Sequence, residues 1–74
     1  MAETLQSVGS ALEVLDVLAG HEELGVSAVA RELGVAKSTA HRLLSTLAAR
    51  GLVEQSAETG RYRLGMRLYE LGHQ

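Results

Sequence analysis

The chain has 74 residues, 46% of them apolar and 22% charged, with no Cys and no Pro. That is one folded domain without disulfide staples or thiolate metal sites. No apolar run approaches the ~20 residues that span a bilayer, and the N-terminus lacks the basic and apolar regions of a signal peptide, so the expected location is cytoplasmic. The net charge of −2 hides a division: residues 1–30 carry five acids and no Lys or Arg, whereas residues 31–67 carry all seven basic residues against three acids. Such asymmetry suits one face to a polyanion and turns another away from it, although charge alone leaves open that the basic residues are simply solvated. His21, His41 and His73 are far apart in sequence, so no metal site is expected. A chain this short buries only about 60% of its unfolded surface, which makes the core thin and a partner subunit useful.

In chain order, a first helix is predicted over about Gln6 to Ala19. Val8, Ala11, Leu12, Leu15 and Leu18 recur at three- and four-residue spacing and form one apolar face, while Val14 and Val17 lie on a different side; one face packs on the core and the other is free for a neighbour. A polar stretch from Gly20 to Gly25 ends it. Ser27 then stands where an N-cap belongs, and at the head of a helix it is also kept among the candidate DNA contacts. The second helix is short, about Ala28 to Leu33, and Gly34 stops it in the left-handed conformation. The third runs from about Ala36 to Arg50, with Arg50 as a C-terminal capping cation and Gly51 just beyond. The period then changes. Leu52 to Gln55 reads as a strand, Ser56 to Gly60 as a turn, and Arg61 to Leu64 as a strand with Tyr62 and Leu64 inward and Arg61 and Arg63 outward. Gly65 closes the hairpin, and Met66 to Leu71 opens another helix. The expected fold class is therefore mainly α with a small β-hairpin, a three-helix winged helix-turn-helix domain.

The segment from Val26 to Ser45 carries the sharpest signal. Two helices packed across a tight turn need a small residue at their contact, supplied by Ala30, and a residue tolerant of positive φ, supplied by Gly34. Val29, Leu33, Val35, Ala40 and Leu43 fill the inward positions. An αα-hairpin without a DNA role explains those residues but not the outer face. There, at 100° per residue, Ser38, Arg42 and Ser45 point away from the buried stripe, flanked by Thr39 and His41. Short hydroxyls and one guanidinium suit base edges in a major groove, with Arg42 the candidate for a bidentate guanine contact. Lys37, Ser38 and Thr39 sit at the helix N-terminus, where free N–H groups favour phosphate. Ser45 suits either role. His41 is assigned to a base or phosphate in preference to plain exposure. Arg31 is divided between a phosphate and pairing with Glu32 or solvent. Arg61 and Arg63, with no acid directly between them, are assigned to backbone or minor groove, against the alternative that they blunt a strand edge. Tyr62 reads as core, and two aromatics in the whole chain argue against a stacking single-strand binder.

Gln6-Ser7-Val8, Ala11-Leu12, Lys37-Ser38-Thr39, His41-Arg42-Leu43-Leu44, Leu47, Arg50-Gly51 and Arg61-Tyr62-Arg63-Leu64-Gly65 together resemble the N-terminal domain of the IclR-type transcription regulators, over about residues 5 to 72. The resemblance implies a bacterial or archaeal regulator that binds near-palindromic double-stranded operators as a homodimer. It implies DNA contacts at Lys37, Ser38, Thr39, His41, Arg42 and the wing arginines. It also implies a winged domain over 5–65 (helix-turn-helix about 26–45, wing about 52–64), a linker helix starting over 66–74, and a small-molecule effector sensed only by a C-terminal domain missing from this chain. Ala36 stands where similar proteins often carry Pro, and Ala is fully compatible with a helix.

No enzyme is expected, since the chain offers no Cys nucleophile, no clustered carboxylates in an apolar pattern and no phosphate-cradling Gly loop, nor is any cofactor. The remaining alternative is a winged-helix protein–protein module without nucleic acid. That module calls for an apolar patch or acids where Ser38, His41 and Arg42 stand.

Overall fold

The computed structural model describes residues 2–72. Its elements run α1 (Ala2–Ala19), α2 (Val26–Leu33), α3 (Lys37–Ala49), β1 (Val53–Gln55), β2 (Tyr62–Leu64) and α4 (Met66–Gly72). His73 and Gln74, the last residues of the expected linker, lie outside the described residues. The order matches the sequence reading, with α1 beginning earlier and α2 starting two residues sooner than its pattern indicated.

The three helices and the hairpin close on one small core. Val14, Leu18, Val29, Ala40, Leu44 and Val53 are essentially sealed from solvent, with Ala30, Leu47 and Tyr62 nearly so. Each fully buried Leu or Val contributes about 1.5–3 kcal/mol relative to an exposed one. Among the described residues no polar or charged residue is buried, so the polar side chains line the outside. Leu64 is partly buried against the core and Tyr62 is inside it, as the alternation of β2 indicated.

The buried arc of α1 cuts across the two apolar sides read from the sequence. Val14 and Leu18, one turn apart, are its most buried residues, with Ala11 and Leu15 partly buried beside them. The apolar pair left in solvent is Val8 and Leu12, 53% and 57% exposed. Val14 and Leu18, read on different sides of the helix, thus share one buried arc. The helix carries apolar residues round more than half its circumference, so periodicity alone does not choose which arc faces inward; the docking of α2 and the hairpin does.

The turn between α2 and α3 is closed by backbone. The Val35 N–H donates to the Ala30 carbonyl (3.0 Å) and the Gly34 N–H to the Arg31 carbonyl (3.2 Å), the Schellman pattern, which requires Gly34 at φ 68°. Buried Ala30 allows the two helices to approach.

The start of α2 corrects the assignment of Ser27. Gly25 is the N-cap, extended at φ −77° and ψ 162°, with no side-chain cap bond. The cause lies one residue upstream. The Leu24 N–H donates to the Tyr62 carbonyl (2.8 Å) and the Tyr62 N–H donates back to the Leu24 carbonyl (2.7 Å). The stretch read as a plain polar loop thus lends a one-residue bridge to the hairpin. The chain leaves it extended, turns at Gly25, and places Ser27 exposed within the first turn.

β1 and β2 pair antiparallel with Val53 opposite Leu64, Glu54 opposite Arg63 and Gln55 opposite Tyr62. Gly65 packs where no side chain fits: a Cβ there would collide with the Gly51 carbonyl. Gly65 therefore lets the end of the hairpin pass directly over the end of α3.

Candidate nucleic-acid interface

The third helix has two chemically opposite sides. Ala40, Leu44 and Leu47 are buried; Lys37, Ser38, His41, Arg42, Ser45 and Thr46 are exposed, and Thr39 is half-buried. The extended Ala36 caps the helix without a side-chain hydrogen bond, and the first intrahelical bond runs from the Ala40 N–H to the Ala36 carbonyl (3.0 Å). The N–H groups of Lys37, Ser38 and Thr39 are therefore open to an incoming acceptor, with the positive end of the helix dipole behind them. Among the described residues neither Lys37 nor Arg42 takes part in an ion pair. A cation with no internal partner keeps its full attraction for an external anion.

Thr46 was not singled out in the sequence. Its hydroxyl donates to the Arg42 carbonyl (2.9 Å) one turn back, on the exposed side of the helix. The i to i+4 spacing from Arg42 was the signal available for it.

The wing is fixed by its own side chains. The Ser56 hydroxyl accepts from the Glu58 and Thr59 N–H groups (3.3 and 3.2 Å), and the Gln55 amide donates to the Gly60 carbonyl (3.0 Å). The Arg61 N–H donates to the Thr59 hydroxyl (3.1 Å). Arg61 itself is exposed and forms no ion pair among the described residues.

Arg63 stands differently. Its guanidinium lies 3.1 Å from Glu23 Oε2 and 3.4 Å from Glu54 Oε1. No acid separates Arg61 from Arg63 in sequence, yet the fold brings two carboxylates onto Arg63. Glu54 was visible in principle as the residue opposite it in the hairpin. Glu23 lies forty residues away and no local signal connects the two.

The open polar face of α3, the tight turn before it and the hairpin beside it define a winged helix-turn-helix domain, a DNA-binding class. The chain belongs to the IclR family: residues 7–57 match the model of the IclR helix-turn-helix domain. It is 49% identical over 74 residues to the glycerol operon regulatory protein of Streptomyces griseus, covering 99% of this chain and 29% of that protein. It is 44% identical over 70 residues to the HTH-type transcriptional regulator XynR of Escherichia coli, covering 93% of this chain and 28% of that protein. Among solved structures, an IclR transcriptional regulator from Alicyclobacillus acidocaldarius superposes with a TM-score of 0.87 at 34% identity, over 92% of this chain and 28% of that one. The chain therefore spans less than a third of the length of the relatives it matches. No helix among the described residues is long and apolar enough to cross a membrane.

Proposed function

We propose that this domain reads sequence in double-stranded DNA, with α3 in the major groove and the wing on the backbone or minor groove, in the service of transcription regulation. The observation that carries this reading is the exposed face of Lys37, Ser38, His41, Arg42 and Ser45, whose side chains have no partner among the described residues, on a helix whose opposite side is sealed in the core. Arg42 reads a base edge, preferentially a guanine. Ser45 and His41 contact base or phosphate beside it. Lys37, Ser38 and Thr39 hold phosphate at the open N–H groups, and Ser27, exposed in the first turn of α2, adds a further backbone contact. Arg61 brings the wing's positive charge to the duplex.

The reading extends to a homodimer on a near-palindromic operator. Exposed Val8 and Leu12 on α1, together with Met66 and Leu71 on α4, supply apolar surface for association. Residues 5–65 act as the DNA-binding unit. A small-molecule effector acts only through a separate C-terminal domain, for which α4 is the connecting element, and a DNA partner places the protein in the cytoplasm.

Selection from a random pool of duplex DNA, with the wild-type chain and with Arg42→Ala, tests the reading. The expected product is an inverted repeat whose half-sites each lose definition at one position in the variant. No retention of duplex at any salt concentration would refute it and favour a protein–protein module.

A further inference from the structure

We propose that Arg63 and Glu23 are positioning residues that lock the wing to the start of α4, and that Arg61 alone presents the wing's charge to DNA. This rests on the duplex-binding reading above and concerns how the wing achieves it.

The argument follows one run of contacts. The two terminal nitrogens of Arg63 are divided between Glu23 and Glu54. The other oxygen of Glu23 accepts from the Thr59 hydroxyl (3.1 Å), and that hydroxyl in turn accepts from the Arg61 N–H (3.1 Å). The other oxygen of Glu54 accepts from the Met66 N–H (2.9 Å), the first residue of α4. The turn of the wing, the loop before α2, both strands and the head of α4 are thus joined through one guanidinium. Two carboxylates against one cation leave the group net negative, so it repels a phosphate as a whole. Arg61 is exposed, unpaired among the described residues, and held at its backbone by the same Thr59. Planar Arg suits Arg63 because its fork reaches two acceptors in fixed directions, which the single ammonium of Lys does not.

The test is the affinity of the chain for a mixed-sequence duplex across a salt titration, well below the melting temperature of each variant, for Arg61→Gln, Arg63→Lys, Arg63→Gln and Glu23→Ala. Arg61→Gln is expected to lower the salt slope by about one unit, the signature of one lost phosphate contact. Arg63→Lys keeps the charge and loses the bridge; with two partly exposed ion pairs at stake, the expected loss is about fivefold, at an unchanged slope. Glu23→Ala gives the sharpest sign. Removing an acid near DNA strengthens binding by Coulomb's law alone, whereas a displaced wing weakens it. We expect weakening, again about fivefold.

Arg63→Lys at wild-type affinity, together with Arg63→Gln lowering the slope as Arg61→Gln does, would make Arg63 an ordinary phosphate ligand and overturn the proposal. Tighter binding by a folded Glu23→Ala would overturn it as well. Should Glu23→Ala fail to fold, the two Arg63 variants decide. If Arg61→Gln alters neither affinity nor slope, Arg61 does not meet phosphate and the proposal falls, while duplex binding through α3 stands; if it does while Arg63→Lys and Glu23→Ala match wild type, only the positioning role falls.

Discussion

The two parts of the molecule that we propose face DNA are built in opposite ways. The polar face of α3 is held only from behind: Ala40, Leu44 and Leu47 anchor the helix, and the outward side chains are left without ion pairs among the described residues. The wing has three-residue strands and little core of its own, and it is held by side-chain bonds of Ser56, Gln55, Thr59, Glu23 and Arg63. A helix satisfies its backbone internally and can leave its polar side chains unpartnered. A short hairpin is marginal alone and needs side-chain bonds to take one shape. Substitutions on α3 should therefore separate stability from binding cleanly, and substitutions in the wing should not.

The largest effect tests the anchored side of that contrast. Leu44→Ala removes a sealed core side chain and should cost about 3 kcal/mol in chemical denaturation, enough to unfold much of a domain this small. Gly65→Ala should cost a similar amount, about 2–3 kcal/mol, because its Cβ meets the Gly51 carbonyl and backbone has to move. Arg42→Ala should do the reverse: about 2 kcal/mol lost from specific duplex binding, with the unfolding midpoint within ordinary scatter of wild type. Loss of stability in Arg42→Ala would break the separation. Ser56→Ala, in the wing, leaves two N–H groups without their acceptor; it should lower stability by about 1 kcal/mol and weaken duplex binding with no change of salt slope, which fluorescence anisotropy can follow.

The helix-turn-helix was legible because its demands are local. A small residue at Ala30, a left-handed one at Gly34 and apolar residues at fixed spacing leave few alternatives, and the polar face of α3 follows from 100° per residue. Tyr62 facing inward followed from strict alternation. What failed was decided by partners distant in sequence. The inward arc of α1 was ambiguous because Val8, Leu12, Val14 and Leu18 are all apolar, and only docking selects Val14 and Leu18. Ser27 has the propensity of a cap, but the bridge from Leu24 to Tyr62 fixes the chain earlier and gives that place to Gly25. The wing arginines look equivalent in sequence; the hairpin register sets Glu54 opposite one of them, and the fold alone brings Glu23 to it.

The central claim, that α3 and the wing form one DNA-facing surface while α1 faces elsewhere, is tested most directly by backbone amide NMR during titration with the selected duplex. The account predicts the largest shifts over residues 36–46 and 56–61, with Val14 and Leu18 unmoved and residues 8–12 changing only as far as two copies meet. Shifts centred on α1, with 36–46 silent, would contradict it.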